Sequence, residues 1–435
     1  MTGRNRNSVV ASPAEGTERI RWLNDRAPDL FDEYGSPLFV VDEGELRQNY
    51  HDLRGALDEH YPDSTVHFAA KANYNLAVLS VLQAEGCSAE AYAKCEFTAC
   101  EQAGFAPEDV LLTGMNRQKA DIERALERGV EHVLVDNEAE IERVVDAAAA
   151  TATRPSVLVR ANPSMDVPTK PSIATATRES KFGLDVASGR AMAVAETAAA
   201  SEHVDLAGIQ LHIGSQIRTT EAYAVAAREM LSFAAEIREE TGTTIEVLDL
   251  GGGFPVAYDE SVPGTEEVLS VLSEAIRETA EEYDLPAPHL FLEPGRRLVA
   301  SAATLLATVG VVKETPHSTF AVLDAGTNLL SPHWPYPVTA LTANGPEQEY
   351  DIAGPLCYTG DVIREEVTIS MVSAGDIVAL DRVGAYSIGS GSNTNAEPKP
   401  AAVMRRVDGS VEVVQERETC ADVLGSDRVP SDLSQ

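Results

Sequence analysis

Four kinds of residue that can do chemistry stand at the ends of four separate apolar runs. Lys71 closes the run STVHFAAK, and His212 follows LAGIQL. Three glycines at 251–253 follow IEVLDL, and Glu293 follows HLFL. A desolvated lysine amine forms imines, and the backbone amides of a glycine turn bind anions. Taken singly, each of these features is more often structural than catalytic.

Their combination is more specific. A phosphate-binding turn, an imine-forming lysine, a stacking ring and a carboxylate beside a pyridinium nitrogen are the partners that pyridoxal phosphate requires. The EPGR segment that contains Glu293 adds the guanidinium of Arg296. The sequence therefore predicts pyridoxal 5'-phosphate as the cofactor, carried on Lys71.

The elements that must position these residues alternate between short β-rich runs and helical patterns. About eight such runs lie between residues 37 and 300, which predicts a (β/α)8 TIM barrel of the α/β class. The strand ends would bring Lys71, Asn162, His212 and Glu293, with the glycines at 251–253, to the C-terminal rim. In such barrels the chemistry lies at that rim.

Beyond the barrel the pattern changes. Short strands such as STFAVLDAG and DIVALDRVG, separated by Pro/Gly turns, predict a C-terminal antiparallel, β-barrel-like domain over residues 301–435. Residues 1–36 are predicted to form an N-terminal segment that packs on this β-domain. The barrel domain then spans residues 37–300.

Charge and composition restrict the class of protein. The chain has 69 Asp and Glu against 34 Lys and Arg, a net charge of -35, which opposes nucleic-acid binding. Acidic residues spread along the whole chain are typical of a halophilic protein. With no long apolar window and no signal-peptide pattern, we expect a cytoplasmic protein without membrane contact. The five cysteines form no C-x-x-C pair, so neither a disulfide framework nor a metal site is expected.

A series of motifs identifies a family resemblance. FAAKAN, ESKFGLD, GIQLHIGSQI, LDLGGGF, EPGRRLVA, LDAGTN, GPLCYTGDVI and GAYS occur in this order. Over residues 37–400 the chain resembles the diaminopimelate/ornithine/arginine decarboxylase family, which are pyridoxal-phosphate enzymes with an alanine-racemase-type barrel. Within that family it is most similar to diaminopimelate decarboxylase.

The resemblance implies roles for individual residues. Lys71 would be the catalytic lysine that holds the cofactor as a Schiff base, His212 would stack on its ring, and Glu293 would pair with the ring nitrogen. The residues that resemble the family's phosphate-binding set are Ser215, Gly252, Gly253, Gly295, Arg296 and Tyr386.

Cys357, in GPLCYTGD, matches a family cysteine that a partner subunit sends into the site. There it is expected to protonate the carbanion left by decarboxylation. The resemblance thus implies a homodimer with shared active sites. The alternative is that Cys357 is a small buried apolar residue, which is a common environment for a free cysteine.

Two departures from the family pattern concern the substrate. Tyr358 stands where diaminopimelate decarboxylases have a glutamate, and Pro332 stands where they have an arginine. Arg296, Tyr336, Tyr358 and Tyr386 are the remaining candidates for substrate contacts. The predicted substrate is an amino acid: meso-diaminopimelate, giving L-lysine in lysine biosynthesis, or a related amino acid or siderophore precursor.

Two other functions stay open from the sequence. A pyridoxal-phosphate racemase would need an opposing tyrosine base from the second domain, whereas the GPLCYTGD segment favours a decarboxylase. A catalytically silent homologue would bind a partner instead, but Lys71, His212, Glu293 and Cys357 are all retained.

Overall fold

The computed structural model describes residues 18–165, 169, 173–331 and 334–433. Two compact units separate within this part of the chain. The barrel unit comprises Glu43–Val256 and Val262–Ser301. The sheet unit comprises the described residues up to Asp42, the segment Ala257–Ser261 and the residues from Ala302 onward. The first part of the predicted N-terminal segment, residues 1–17, lies outside the described residues.

The N-terminal elements belong to the sheet unit. Helix α1 (Glu18–Tyr34) is followed by strand β1 (Leu38–Asp42). The side chains of Ile20 and Leu23 on the helix pack in one apolar cluster with Leu38 and Val40 of the strand. Strand β1 is the run PLFVVD at the start of the predicted barrel range, yet it pairs within the other sheet. Its short, fully buried apolar pattern is the same as that of a barrel strand, so the sequence cannot separate the two.

The predicted barrel is confirmed. Eight parallel strands form a closed ring, because the strand at His132 pairs with its neighbours on both sides. Their interiors are almost continuously apolar, as expected for parallel strands covered on both faces. The barrel strands are β2 (Ser64–Ala69), β3 (Ser88–Ala91), β4 (Val110–Leu112), β5 (His132–Val135), β6 (Ser156–Asn162), β8 (Asp205–Gln210), β9 (Val247–Asp249) and β10 (His289–Leu292), while β7 (Leu184–Asp185) pairs with the end of β6.

Helices follow most of the barrel strands and are held by local sequence signals. Asn75 caps α3 by accepting hydrogen bonds from the amides of Ala77 and Val78. Gly129 ends α5 in a left-handed conformation that favours glycine. The helices are α2 (Glu43–His60), α3 (Leu76–Ala84), α4 (Lys94–Ala103), α5 (Lys119–Arg128), α6 (Glu138–Thr151), α7 (Arg190–Ala199), α8 (Thr220–Thr241), α9 (Thr265–Glu282) and α10 (Arg296–Val299).

The sheet unit is mostly antiparallel, as predicted, with two parallel pairings that the sequence did not indicate. Strand β1 runs parallel to β17, and β12 runs parallel to β14. The later elements are β11 (Ala303–Glu314), β12 (Thr319–Leu323), β13 (Val338–Ala340), β14 (Glu347–Ala353), β15 (Val362–Ser370), β16 (Ile377–Leu380), β17 (Ala401–Arg405), β18 (Val411–Gln415) and helix α11 (Cys420–Val423). Among the described residues, no helix is both long enough and apolar enough to span a bilayer.

Candidate active site

A cavity of about 370 Å³ opens in the barrel unit. Its size lies in the range that holds a small ligand or cofactor. Lys71, His212 and Glu293, predicted from the sequence to share the barrel rim, all line it. The other lining residues are Glu90, Tyr92, Thr113, Leu134, Arg160, Thr175, Lys181, Phe182 and Gln210.

Lys71 is held by a carboxylate that the sequence analysis missed. It lies in a single 3-10 turn directly after β2, and its Nζ is 2.7 Å from Oε2 of Glu90 on the neighbouring strand β3. Glu90 is buried, and its other oxygen accepts a hydrogen bond from the Thr113 hydroxyl. The Lys71 side chain is 39% exposed, so its amine faces the cavity while the ion pair fixes its position.

Glu293 is buried at the end of β10, where Gln210 Nε2 donates a 3.0 Å hydrogen bond to its Oε1. Burial raises the pKa of the Glu293 carboxyl, and the charge of Glu90 raises it further. Asp249, at the end of β9, has a pKa held well above its usual value by burial and then by Glu293. A cation beside Glu293 would offset the cost of burying its charge.

His212 follows β8 as a neutral ring. Burial lowers its pKa to about 3, and the positive charge of Lys71 acts in the same direction. The backbone N–H of Gly252 donates to His212 Nδ1 at 3.1 Å, so the ring proton is on Nε2. The Thr175 hydroxyl donates to the backbone carbonyl of His212 at 2.5 Å. The first contact orients the ring at the cavity wall, and the second holds the backbone of His212.

The glycine turn at 251–253 requires glycine for steric reasons. A Cβ on Gly252 would lie 2.3 Å from the carbonyl oxygen of Glu293, and one on Gly253 would lie 2.6 Å from that of Gly214. Gly253 also has a φ of 93°. Within the described residues the amide of Gly253 has no acceptor, so it is available to an anion.

These features fit pyridoxal phosphate. The lysine amine, the neutral imidazole and the buried carboxylate line one cavity, and the glycine turn donates directly to that imidazole. Gln210 Oε1, which is also buried in the wall, lacks a hydrogen-bond partner among the described residues. A flat polar ring with a positively charged nitrogen matches such a wall in polarity.

Arg160, Lys181 and Phe182 form a cluster on another part of the cavity wall that was not predicted from the sequence. The Arg160 guanidinium is 4.7 Å from the centre of the Phe182 ring, and Lys181 Nζ is 4.9 Å from it. Arg160 also pairs with the buried Asp136 at 3.2 Å. Lys181 and Phe182 belong to ESKFGLD, so that motif was the available signal. No motif marks Arg160 or Glu90. Only their positions in β6 and β3 bring these side chains to the cavity.

Asn162 ends β6, as predicted, but its side chain bonds to the loop that follows. Its amide donates to the carbonyls of Thr177 and Phe182, and its Oδ1 accepts from the amide of Ser164. It does not line the cavity. The Asn162 side chain therefore holds the loop after β6 together.

Ser215, Gly295 and Arg296, which are also predicted to bind the phosphate, lie in the barrel unit. The amide of Ser215 donates to the carbonyl of Ile173 at 3.0 Å, and Gly295 precedes α10, of which Arg296 is the first residue. Their backbone positions follow β8 and β10 and thus the same ends of the strands as His212 and Glu293.

The remaining predicted residues lie in the sheet unit. Cys357 and Tyr358 are exposed, the latter by 64%. Tyr336 is buried, and Tyr386 is half-buried with a left-handed φ of 59°. Pro332 lies outside the described residues.

The buried carboxylate of Asp361 holds the backbone of the loop that carries Cys357. Asp361 accepts hydrogen bonds from the amides of Thr327 and Leu356, each at 2.7 Å. The amide of Cys357 donates to Asn395 Oδ1 at 3.2 Å. The backbone of this loop is thus fixed while the Cys357 thiol and the Tyr358 phenol remain exposed.

Comparison with known proteins gives consistent matches. Residues 44–300 match the family model "Pyridoxal-dependent decarboxylase, pyridoxal binding domain". A diaminopimelate decarboxylase of Methanothermobacter thermautotrophicus is 33% identical, with 94% of this chain and 95% of that protein covered. The enzyme of that name from Bacillus subtilis is 32% identical, with 92% of each chain covered. A crystal structure of diaminopimelate decarboxylase from M. jannaschii in complex with L-lysine superimposes with a TM-score of 0.87 at 31% identity, over 94% of this chain and 95% of that one.

Proposed function

Because the chain belongs to the pyridoxal-dependent decarboxylase family, we propose that it converts meso-diaminopimelate to L-lysine by loss of CO2. The observation that carries this proposal is the barrel cavity, in which Lys71, His212 and Glu293 surround one space. The similarity to diaminopimelate decarboxylases over more than nine-tenths of the chain supports the substrate class.

The residues that would hold the cofactor are those of the barrel unit. Lys71 would hold it covalently, Glu293 would keep the ring nitrogen protonated, and His212 would contact the ring face as a neutral base. Ser215, Gly252, Gly253, Gly295 and Arg296 would hold the phosphate. When bound, pyridoxal phosphate supplies a conjugated ring that accepts the electron pair left on Cα when CO2 departs.

The protein's own groups manage charge and protons around that reaction. Glu90 accepts a hydrogen bond from the Lys71 ammonium at 2.7 Å, so it would hold this amine whenever the lysine is not bonded to the cofactor. Glu293 is buried where its charge needs a cation. Cys357 of a partner subunit would return a proton to Cα, and the thiol of Cys357 is exposed.

Tyr358 and Pro332 would affect recognition of the far end of the substrate, away from the carbon that loses CO2. A phenol cannot supply the negative charge of the family's glutamate, and proline cannot supply the positive charge of its arginine. Each buried charge-assisted contact contributes about 1.5–3 kcal/mol. A relative of diaminopimelate with a less charged far end is therefore included in the proposal.

Activity measurements on a substrate panel test this proposal. CO2 release should be fastest with meso-diaminopimelate or a close relative and slower with lysine, ornithine and arginine. A Lys71→Ala variant should release none above background, while a Lys313→Ala variant, altered on an exposed strand of the sheet unit, should match the wild type. Racemisation of an amino acid without CO2 release would contradict the proposal.

A homodimer with shared active sites is proposed as well, because the Cys357 loop is exposed and rigidly held. Mixing Lys71→Ala chains with the strongly impaired Cys357→Ala chains should then restore about a quarter of wild-type activity, since mixed dimers would have one intact site. No recovery after subunit exchange would show that each site is formed by a single chain.

A further inference from the structure

Gln216 is part of the HIGSQ motif but has no role in the function proposed above. It is buried, and its φ of 56° places a non-glycine residue in the left-handed region. Such a conformation is unfavourable for a residue with a side chain, so a compensating contact is needed.

That contact is a paired hydrogen bond to one backbone residue. Gln216 Nε2 donates to the carbonyl of Val256 at 2.9 Å, and the amide of Val256 donates to Gln216 Oε1 at 2.7 Å. A carboxamide offers one donor and one acceptor side by side, which is what a peptide group requires. A glutamate at this position would keep the acceptor and lose the donor.

The two segments joined by Gln216 carry the proposed phosphate-binding groups. Gln216 directly follows Ser215, and Val256 lies three residues beyond Gly253. The amide of Ile217 adds a 3.0 Å hydrogen bond to the carbonyl of Gly253. A Cβ on Gly253 would lie 2.6 Å from the carbonyl oxygen of Gly214, so the backbones of the two loops are close here. The two loops are thus in contact, and Gln216 supplies the side-chain link between them.

We propose that Gln216 is a positioning residue that sets the spacing between the Ser215 loop and the glycine turn at 251–253. Through this spacing it determines how tightly the protein binds the phosphate of its cofactor. The inference rests on the proposed function, in which these two loops hold that phosphate. Gln216 itself does not line the cavity, so it acts only through its neighbours.

A comparison of the affinities for pyridoxal 5'-phosphate and for pyridoxal tests this role, because pyridoxal has the ring and aldehyde but no phosphate. Apo-protein is titrated with each compound, and binding is followed by the visible absorption of the lysine adduct. In Gln216→Met, which has similar length and no amide, the affinity for pyridoxal 5'-phosphate should fall about tenfold, as expected for two buried hydrogen bonds. The affinity for pyridoxal should stay within about threefold.

Two further variants complete the experiment. Gln216→Gly removes the amide but relieves the left-handed backbone, so it should show the same loss of phosphate preference even if Gln216→Met folds poorly. Gln102→Met, the same substitution on the exposed face of α4, should behave as the wild type. The helical circular dichroism of each apo-protein shows whether the barrel unit is folded.

The outcomes separate the two proposals. A wild-type protein that forms no visible adduct with either compound contradicts the proposed function. If the wild type forms the adduct and Gln216→Gly keeps the wild-type ratio of affinities, the positioning role is overturned. Equal losses for both compounds would also overturn it, since they indicate general loosening of the barrel rim.

Discussion

The barrel unit and the sheet unit differ in how far their candidate catalytic groups are buried and paired. In the barrel unit Glu90 and Glu293 are buried, and each has a defined partner in the cavity wall. In the sheet unit Cys357 and Tyr358 are exposed, and only the backbone behind them is fixed. Cofactor binding and barrel stability should therefore depend on Glu90 and Glu293. Substitutions of Cys357 and Tyr358 should affect turnover alone.

The largest effect is expected from Glu293→Gln. The neutral amide keeps the size of the side chain but cannot hold a proton on the ring nitrogen, so kcat should fall about 10³-fold. Steady-state kinetics with the best substrate measure this change. Glu278→Gln, the same substitution on an exposed position of α9, serves as the control and should stay within about twofold of wild type. A similar result for both variants would remove Glu293 from the reaction.

A smaller effect is expected from Cys357→Ala. Loss of a general acid typically costs about 10²-fold in rate, while an exposed side chain contributes little to stability. We therefore expect kcat to fall about 10²-fold with an unchanged melting temperature and an unchanged cofactor spectrum. Cys420→Ala, which alters another exposed cysteine, is the control. If both cysteine variants retain full activity, the sheet unit does not supply the proton.

Inside the barrel, His67 makes stability depend on pH. Burial lowers its pKa to about 3, with His132 and His289 adding to the shift. The unfolded chain takes up this proton near pH 6.5. The stabilising effect of neutral His67 is thus complete above that pH and is lost as the pH falls toward 3. Between pH 8 and pH 5 the loss should be about 2 kcal/mol.

Urea titrations of His67→Gln, followed by helical circular dichroism, measure that contribution. The variant should lose about 2 kcal/mol less than wild type over the same pH range. His317→Gln in the sheet unit, where the imidazole is exposed, should show the wild-type dependence. Equal pH dependence of all three proteins would show that His67 is not buried in its neutral form.

The smallest effect is expected from Asp361→Asn, which weakens the support of the Cys357 loop. Hydrogen bonds to a charged acceptor are stronger than those to an amide, so the loop should loosen and kcat should fall about tenfold. Both tryptophans, Trp22 and Trp334, lie in the sheet unit, so their fluorescence checks that this unit remains folded. A cofactor spectrum that changes as well would mean that the two units do not act separately.

The sequence predicted the barrel because its strands and helices repeat in a regular order. It also placed Lys71, His212 and Glu293 on one rim, since each follows a strand of that order. Strand β1 was not assigned to the sheet unit, because its pairing partners at 303–306 and 401–405 are distant in the chain. Pairings over such separations leave no local pattern.

Glu90 was missed for a related reason. In the run SAEA it reads as an isolated acid in a weak strand, and only the register of β3 beside β2 brings it to Lys71. Asn162 shows the opposite case, in which a polar residue at a strand end serves the loop instead of the cavity. Position along the barrel is predictable from sequence, but the direction of each side chain is not.

The visible absorption of the purified protein tests most directly whether Lys71 carries pyridoxal phosphate. The wild-type protein, supplied with the cofactor, should show a visible band that borohydride removes by fixing the cofactor to Lys71, as peptide mass analysis would locate. The Lys71→Ala variant should lack the band and the modified peptide, while Lys313→Ala should retain both. A wild-type protein without the band, or a cofactor fixed to another lysine, would contradict the assignment.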